Sequence, residues 1–108
     1  MSDANISALS ALSTVQEVTA NNIANMNTDG FKASSVALRS GPGDQGVEVA
    51  AITESATPGS MLHGVETSNT DIGRETVDMI TTSRAFEANT TFIRADEEMT
   101  GHLLNMIA

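Results

Sequence analysis

The sequence contains no cysteine, tryptophan or tyrosine, and only three phenylalanines. Without cysteine, disulfides, thiol catalysis and thiolate metal sites are excluded. Basic residues are also scarce, with 5 Lys and Arg against 14 Asp and Glu and a net charge of −9. This balance argues against nucleic acid or an anionic membrane surface as a partner. No apolar run is long enough to cross a bilayer and no signal-peptide pattern is present, so we expect neither membrane insertion nor export through a cleaved signal peptide.

Candidate catalytic residues are equally few. The two histidines are His63, in a Gly-flanked connector, and His102, near the end of a helical pattern where a cation favours the helix dipole. The consecutive acids Asp96, Glu97 and Glu98 point in different directions on a helix, which favours a solvated face over a metal site. No phosphate loop, HExxH motif or nucleophile elbow is found. The sequence therefore predicts a protein that is not an enzyme and binds no cofactor or metal.

The N-terminal segment, residues 1–29, carries a helical apolar pattern. Its strict three-four spacing runs through Leu9, Leu12, Gln16, Thr19, Ile23 and Met26. The pattern is typical of an ordinary amphipathic helix, and it also fits a seam between several neighbouring helices, whose polar positions fix register.

The stretch ANNIANMNTDGFK, residues 20–32, ends this pattern. It contains Asn21, Asn22, Asn25, Asn27 and Gly30. Asn and Gly suit a helix that ends in a fixed turn. Asn inside a helical pattern is a poor helix former, so we expect these side chains to have a role other than local helix stability. Gly30 is expected to set the exit of the chain, and Phe31 to anchor the segment that follows.

The middle segment, residues 30–67, alternates like two short strands. Val36 and Leu38 alternate with small residues, the turn-rich run SGPGDQG follows at residues 40–46, and Val47 and Val49 then resume the alternation. These features predict a β hairpin that must pack on helices or on another subunit. Residues 60–64 are predicted to be a connector.

The C-terminal segment, residues 68–108, has the strongest periodicity. Ser68 with Asp71 three residues later resembles a capping box. One line of apolar residues repeats every seven residues and comprises Ile72, Met79, Phe86, Ile93 and Ile107. A more polar line lies four residues after it and comprises Thr76, Ser83, Thr90, Glu97 and Leu104. The repeat predicts a long coiled-coil-like helix of weak self-affinity, roughly 60 Å long. We expect the apolar line to meet Leu9, Leu12, Ile23 and Met26.

Three arginines on this helix have acidic neighbours at helical spacing. Arg74 lies near Asp78, Arg84 near Glu87, and Arg94 near the acids at 97 and 98. Local pairs of this kind contribute roughly 0.2–0.5 kcal/mol each. A solvated face is the simpler interpretation, and an arginine that reaches a neighbouring subunit is the alternative.

Both ends of the chain resemble one family. The run ANNIANMNTDGFK resembles the N-terminal signature of the bacterial flagellar rod and hook axial proteins, in which a helix ends in ANNIAN-x-NT-x-GF/YK. Residues 68–106, which include MITTSRAFEAN at 79–89, are similar to the C-terminal helix of that family. The two motifs occur in the family's order, and the short middle resembles that of the proximal rod type.

This resemblance implies a mainly α subunit, in which long N- and C-terminal helices pair as a coiled coil with a short β hairpin between them. It implies assembly with copies of itself and with other axial proteins, a place in the basal-body rod, and export unfolded through the flagellar type III apparatus. The residues expected at subunit interfaces are Asn21, Asn22, Ile23, Asn25, Asn27, Gly30, Phe31, Lys32, Ile72, Met79, Arg84, Phe86, Ile93 and Leu104. We also expect the terminal segments to fold on incorporation. The competing hypothesis is a soluble coiled-coil adaptor that forms a closed oligomer.

Overall fold

The computed structural model describes residues 3–107 and contains two long helices with two β hairpins between them. The helices are α1 (Asp3–Ala24) and α2 (Ile72–Ile107). The first hairpin comprises β1 (Ser34–Ser40) and β2 (Val47–Glu54), and the second comprises β3 (Met61–Leu62) and β4 (Val65–Glu66). The predicted mainly α architecture with an intervening hairpin is confirmed. The molecule is elongated, with principal dimensions of 73 × 26 × 14 Å.

The two helices lie side by side and antiparallel. Asn22, near the end of α1, bonds to Glu75 at the start of α2, and Gln16 bonds to Ser83 further along. Because α2 has 36 residues and α1 has 22, α2 extends past the part of α1 that the structure describes. We call residues 99–107 of this extension the distal segment; all nine are exposed.

The face of α2 that meets α1 differs in part from the predicted one. Met79 and Ile93 are half-buried, in agreement with the predicted apolar line, but the companion positions are three residues after that line rather than four. Glu75 and Thr82 are buried there, whereas Thr76, Ser83 and Thr90 are exposed. Both candidate lines are polar, so hydrophobicity could not choose between them. Coiled-coil pairing in the strict sense therefore remains a prediction.

Several apolar residues of the predicted seam are exposed in the single chain. Phe86 is 39% exposed, and Ile72, Met26 and Leu104 are also exposed. On α1, the buried residues are Ala11, Thr19 and Asn22. Small and polar side chains therefore fill the contact between the helices, which leaves much of the apolar surface available to partners.

The first hairpin packs on α1. The two strands predicted from the alternating valines are confirmed. Its register is antiparallel from Ser34 opposite Glu54 to Ser40 opposite Val47, with a bulge after Ala37. At its turn, the Ser7 hydroxyl accepts the N–H of Val47 at 3.1 Å. Gly46 has a φ of +73°, and a Cβ there would lie 2.2 Å from Ser7 Oγ. This close contact seats the turn against the first part of α1.

Two local predictions were wrong. The expected connector at residues 60–64 contributes to the second hairpin, whose turn residues His63 and Gly64 both have positive φ. The cap of α2 is Asp71 rather than Ser68, because Asp71 Oδ1 accepts the N–H of Arg74 at 3.2 Å. The Ser68 hydroxyl instead bonds within its own turn, to Thr70.

Candidate functional site: the polar joint between the helices

A buried asparagine joins three separate segments of the chain. Asn22 is 1% exposed, and its side-chain amide donates to the carbonyl of Ser34 at 2.8 Å and to Glu75 Oε1 at 3.1 Å. Its side-chain oxygen accepts the N–H of Ser34 at 2.9 Å. The end of α1 is thus tied to the start of β1 and to the first turn of α2. We refer to Asn22, residues 30–34, Glu66, Asn69 and Glu75 as the joint.

Asn69 makes the corresponding contacts from the other side of the joint. Its side-chain oxygen accepts the N–H of Ala33 at 2.7 Å, and its amide donates to the carbonyl of Thr57 at 2.7 Å. Its backbone N–H donates to the carbonyl of Phe31 at 3.1 Å. Sequence reasoning missed Asn69, although an asparagine just before a helix start is a signal for side-chain bonds to the backbone.

An ion pair closes the joint at its edge. Lys32 Nζ bonds to Glu66 Oε1, which also accepts the N–H of Gly59 at 3.0 Å. The Lys32 ammonium first, and the Gly59 N–H second, hold the pKa of Glu66 below its ordinary value. The N–H of Gly30, which has a φ of +72°, donates to the Glu66 carbonyl at 2.8 Å. Lys32 and Gly30, predicted to contact other subunits, thus have partners in their own chain.

The other asparagines of the run do not share one role. Asn25 lies in the turn after α1, where its amide donates to the Asn21 carbonyl at 2.9 Å and its oxygen accepts from Thr28 at 3.0 Å. Asn21 and Asn27 are exposed. The interpretation of all four as bonds to adjacent subunits is therefore corrected for Asn22, whose side-chain donors and acceptor are all used internally. For exposed Asn21 and Asn27 it remains a prediction.

An open apolar groove runs along the contact between the helices. Its cavity of about 590 Å³ is lined by Leu12, Gln16 and Ala20 of α1 and by Ser83 and Phe86 of α2, among others. The Gln16 amide donates to Ser83 Oγ at 3.5 Å across this contact, whereas the buried Gln16 Oε1 has no hydrogen-bond partner among residues 3–107. We call this cavity the interhelical groove.

The charged residues of α2 do not form the predicted local pairs. The ion pairs between residues 3–107 are Lys32–Glu66 and Arg39–Glu48, and none involves Arg74, Arg84 or Arg94.

A second cavity, of about 430 Å³, lies among α1, the first hairpin and α2, and Arg74 and Glu75 line it. Within residues 3–107, no three acids or histidines converge as metal ligands would. No described helix has the length and apolar character required to span a membrane.

The chain is thus a small, mainly helical protein. It has two antiparallel helices, a polar joint formed by residues 22–34 and 66–75, and exposed apolar helix surface. Two comparisons with known families give the class a more specific identity. Residues 3–32 match the model of the flagella basal body rod protein, and residues 63–106 match that of the flagellar basal body rod FlgEFG protein C-terminal. The chain belongs to the flagellar basal-body rod protein family. No curated protein matches the sequence significantly.

The joint connects the two matched segments to each other. Asn22 and Lys32 lie in the first match, and Glu66, Asn69 and Glu75 lie in the second. The unmatched residues 33–62 contain the first hairpin, which packs on α1. The family match therefore covers both helices and both sides of the joint. It also implies a structural role in the basal body and assembly with other rod proteins.

Proposed function

We propose that this chain is a structural, non-catalytic subunit of the bacterial flagellar basal-body rod, which assembles helically with copies of itself and other axial proteins and transmits torque from the motor to the hook. The observation that supports this proposal is that both matched segments meet at one joint, in the family's order. The apolar surface of α2 left open beside the joint suits burial on assembly. The short middle, residues 33–62, favours the proximal rod type.

The proposal extends to export and folding. We expect the chain to reach the rod through the flagellar type III apparatus without a cleaved signal peptide. Because Asn22, Asn69 and Glu66 are bonded within one chain, we expect the joint to fold before incorporation. The distal segment is exposed in the single chain, so its helix should become more stable on assembly. Circular dichroism should then show helicity that rises with concentration, while a chain with full helicity at high dilution would contradict this expectation.

Deletion of the encoding gene tests the rod assignment. The deletion should abolish swimming and leave basal bodies without a complete rod in electron micrographs, and re-expression should restore both. Cryo-electron microscopy of the complemented basal body would locate the chain among its neighbours. Normal swimming and intact rods in the deletion strain would contradict the assignment.

The second candidate function is a soluble coiled-coil oligomerisation or adaptor module. It is favoured by the polar contact between the helices, which leaves Phe86 partly exposed for another helix. Sedimentation velocity separates the two functions. An adaptor forms one closed oligomer, whereas a rod subunit forms a monomer at low concentration and an open series at high concentration.

A further inference from the structure

We propose that the interhelical groove receives the distal segment of a second copy of this chain. This inference rests on the proposed function and specifies which surfaces of two copies meet. The groove is concave and apolar, with Leu12 and Phe86 on opposite walls. The distal segment is a convex helix end with no cover in the described chain.

The distal segment has the residue pattern of an inserting helix. Met99, His102, Leu103 and Met106 lie along one stripe, at the three-four spacing that places residues on one helix face. Met99 is 65% exposed and Leu103 is 57% exposed. Nine residues of helix span about 14 Å, and the α1 wall from Leu12 to Ala20 spans about 12 Å. The segment and the groove therefore agree in length.

The groove also has a polar group on its α2 wall, since Ser83 lines it and is exposed. His102 is on the apolar stripe of the distal segment, and an imidazole ring carries an N–H in either tautomer. A hydroxyl oxygen such as that of Ser83 can accept this N–H.

Charge favours this segment over the residues just before it. Glu17 and Glu87 are among the residues that line the groove. Residues 99–107 contain no acid, whereas residues 96–98 are Asp, Glu and Glu. Like charges repel, so the acidic run is expected to stay outside the groove while the acid-free stretch enters. The same chain cannot fill its own groove, because α2 is one continuous helix that carries the distal segment away from it.

The contact joins two different surfaces, so each copy can insert its distal segment into one neighbour and accept the distal segment of another in its groove. Such a heterologous contact produces an open helical assembly when the rotation between copies does not close, and a ring when it does. The proposed function requires the open case. About two and a half turns of helix bury less than the roughly 800 Å² per partner of a typical stable interface. A single contact is therefore weak, and the assembly depends on high local concentration.

Cysteine cross-linking tests the inference, since the natural chain has no cysteine. A full-length Ser13→Cys chain, with its cysteine at the α1 wall, is mixed with a Leu103→Cys chain under mild oxidation. We expect about tenfold more mixed disulfide than with Leu104→Cys, because Leu104 lies about 100° further around the helix and disulfides need Cα atoms roughly 4.4–6.8 Å apart. Leu62→Cys tests whether the groove instead receives the second hairpin of another copy, because Leu62 is exposed on that hairpin.

Each outcome has a defined meaning. Preferential cross-linking of the Leu103→Cys chain supports the inference. Equal cross-linking of the 103 and 104 variants, preference for the Leu62→Cys chain, or no mixed disulfide overturns it. Sedimentation of the unmodified chain is measured in parallel. An open assembly without the expected cross-link refutes this contact but leaves the rod subunit intact, whereas a closed oligomer refutes the proposed function itself.

Discussion

Replacement of Asn22 by Ala is the most informative single change, because it removes three hydrogen bonds from a buried side chain. Two of these bonds go to the backbone of Ser34 and one goes to the buried Glu75 carboxylate. A neutral bond contributes about 1 kcal/mol, and a bond to a charged group about 1.5–3 kcal/mol. Alanine returns about 0.5 kcal/mol through better helix propensity. We therefore expect Asn22→Ala to lower the free energy of unfolding by about 3–4.5 kcal/mol.

Urea unfolding followed by circular dichroism measures this loss. The matched control is Asn21→Ala, since Asn21 is the same residue type in the same helix but is exposed. Propensity alone predicts that the control is neutral or stabilising by up to about 0.5 kcal/mol. Should Asn22→Ala unfold the chain in buffer, titration with a stabilising osmolyte recovers the difference. A loss below about 1 kcal/mol, or equal effects of the two substitutions, would refute the argument that Asn22 organises the joint.

Three further predictions concern the edge of the joint, the groove and the hairpin turn. The folded-state pKa of Glu66 is lowered, so the stabilisation that its carboxylate provides is complete above the ordinary pKa and is lost as pH falls through the folded-state pKa. A fall from about pH 5 to pH 3 should therefore lower the melting temperature of the wild type more than that of Glu66→Gln. Parallel changes in the two melting temperatures would contradict this. Because Phe86 is 39% exposed, Phe86→Ala should lower the free energy of unfolding of the isolated chain by about 2 kcal/mol, less than the roughly 3–5 kcal/mol of a closed core. Urea unfolding of dilute protein measures this loss. A loss above about 4 kcal/mol would mean that the groove is closed. Gly46→Ala should lower the free energy of unfolding by at least about 1 kcal/mol more than Gly43→Ala. Both glycines have positive φ, but only a Cβ at Gly46 would contact Ser7. Equal losses in the same assay would contradict the close contact.

The elements predicted best from the sequence are those with a strong local signal. The alternating valines on either side of a Gly-Pro-rich turn define the first hairpin, and the apolar repeat of the C-terminal segment defines a long helix. The second hairpin was missed because its strands have two residues each, too few to display alternation. The cap of α2 was displaced by three residues, since Ser68 and Asp71 are both good cap residues and local chemistry alone does not separate them.

The candidate site was predictable in composition but not in connectivity. The crowding of asparagines before Gly30 predicted a helix that ends in a turn, and α1 ends at Ala24. Which chain would supply the partners depends on contacts between distant residues, and Asn22 and Glu75 are 53 positions apart. The choice of a contact line on α2 failed for a related reason. Glu75 looks unsuited to burial until its bond with Asn22 is known, so the sequence favoured the line through Thr76 and Ser83.

The position of Asn22 explains why this small chain can use polar residues where a larger domain would use apolar ones. With three phenylalanines and few large aliphatic residues, the helices gain little from hydrophobic contact with each other. Buried polar groups specify geometry because their bonds are directional and costly to leave unmade. The joint thereby fixes the angle and register of two helices whose own contact is weak. Apolar residues such as Leu103 and Phe86 are left exposed in the single chain, where the contacts that we propose between copies would bury them. On this proposal, chain geometry and assembly depend on different side chains.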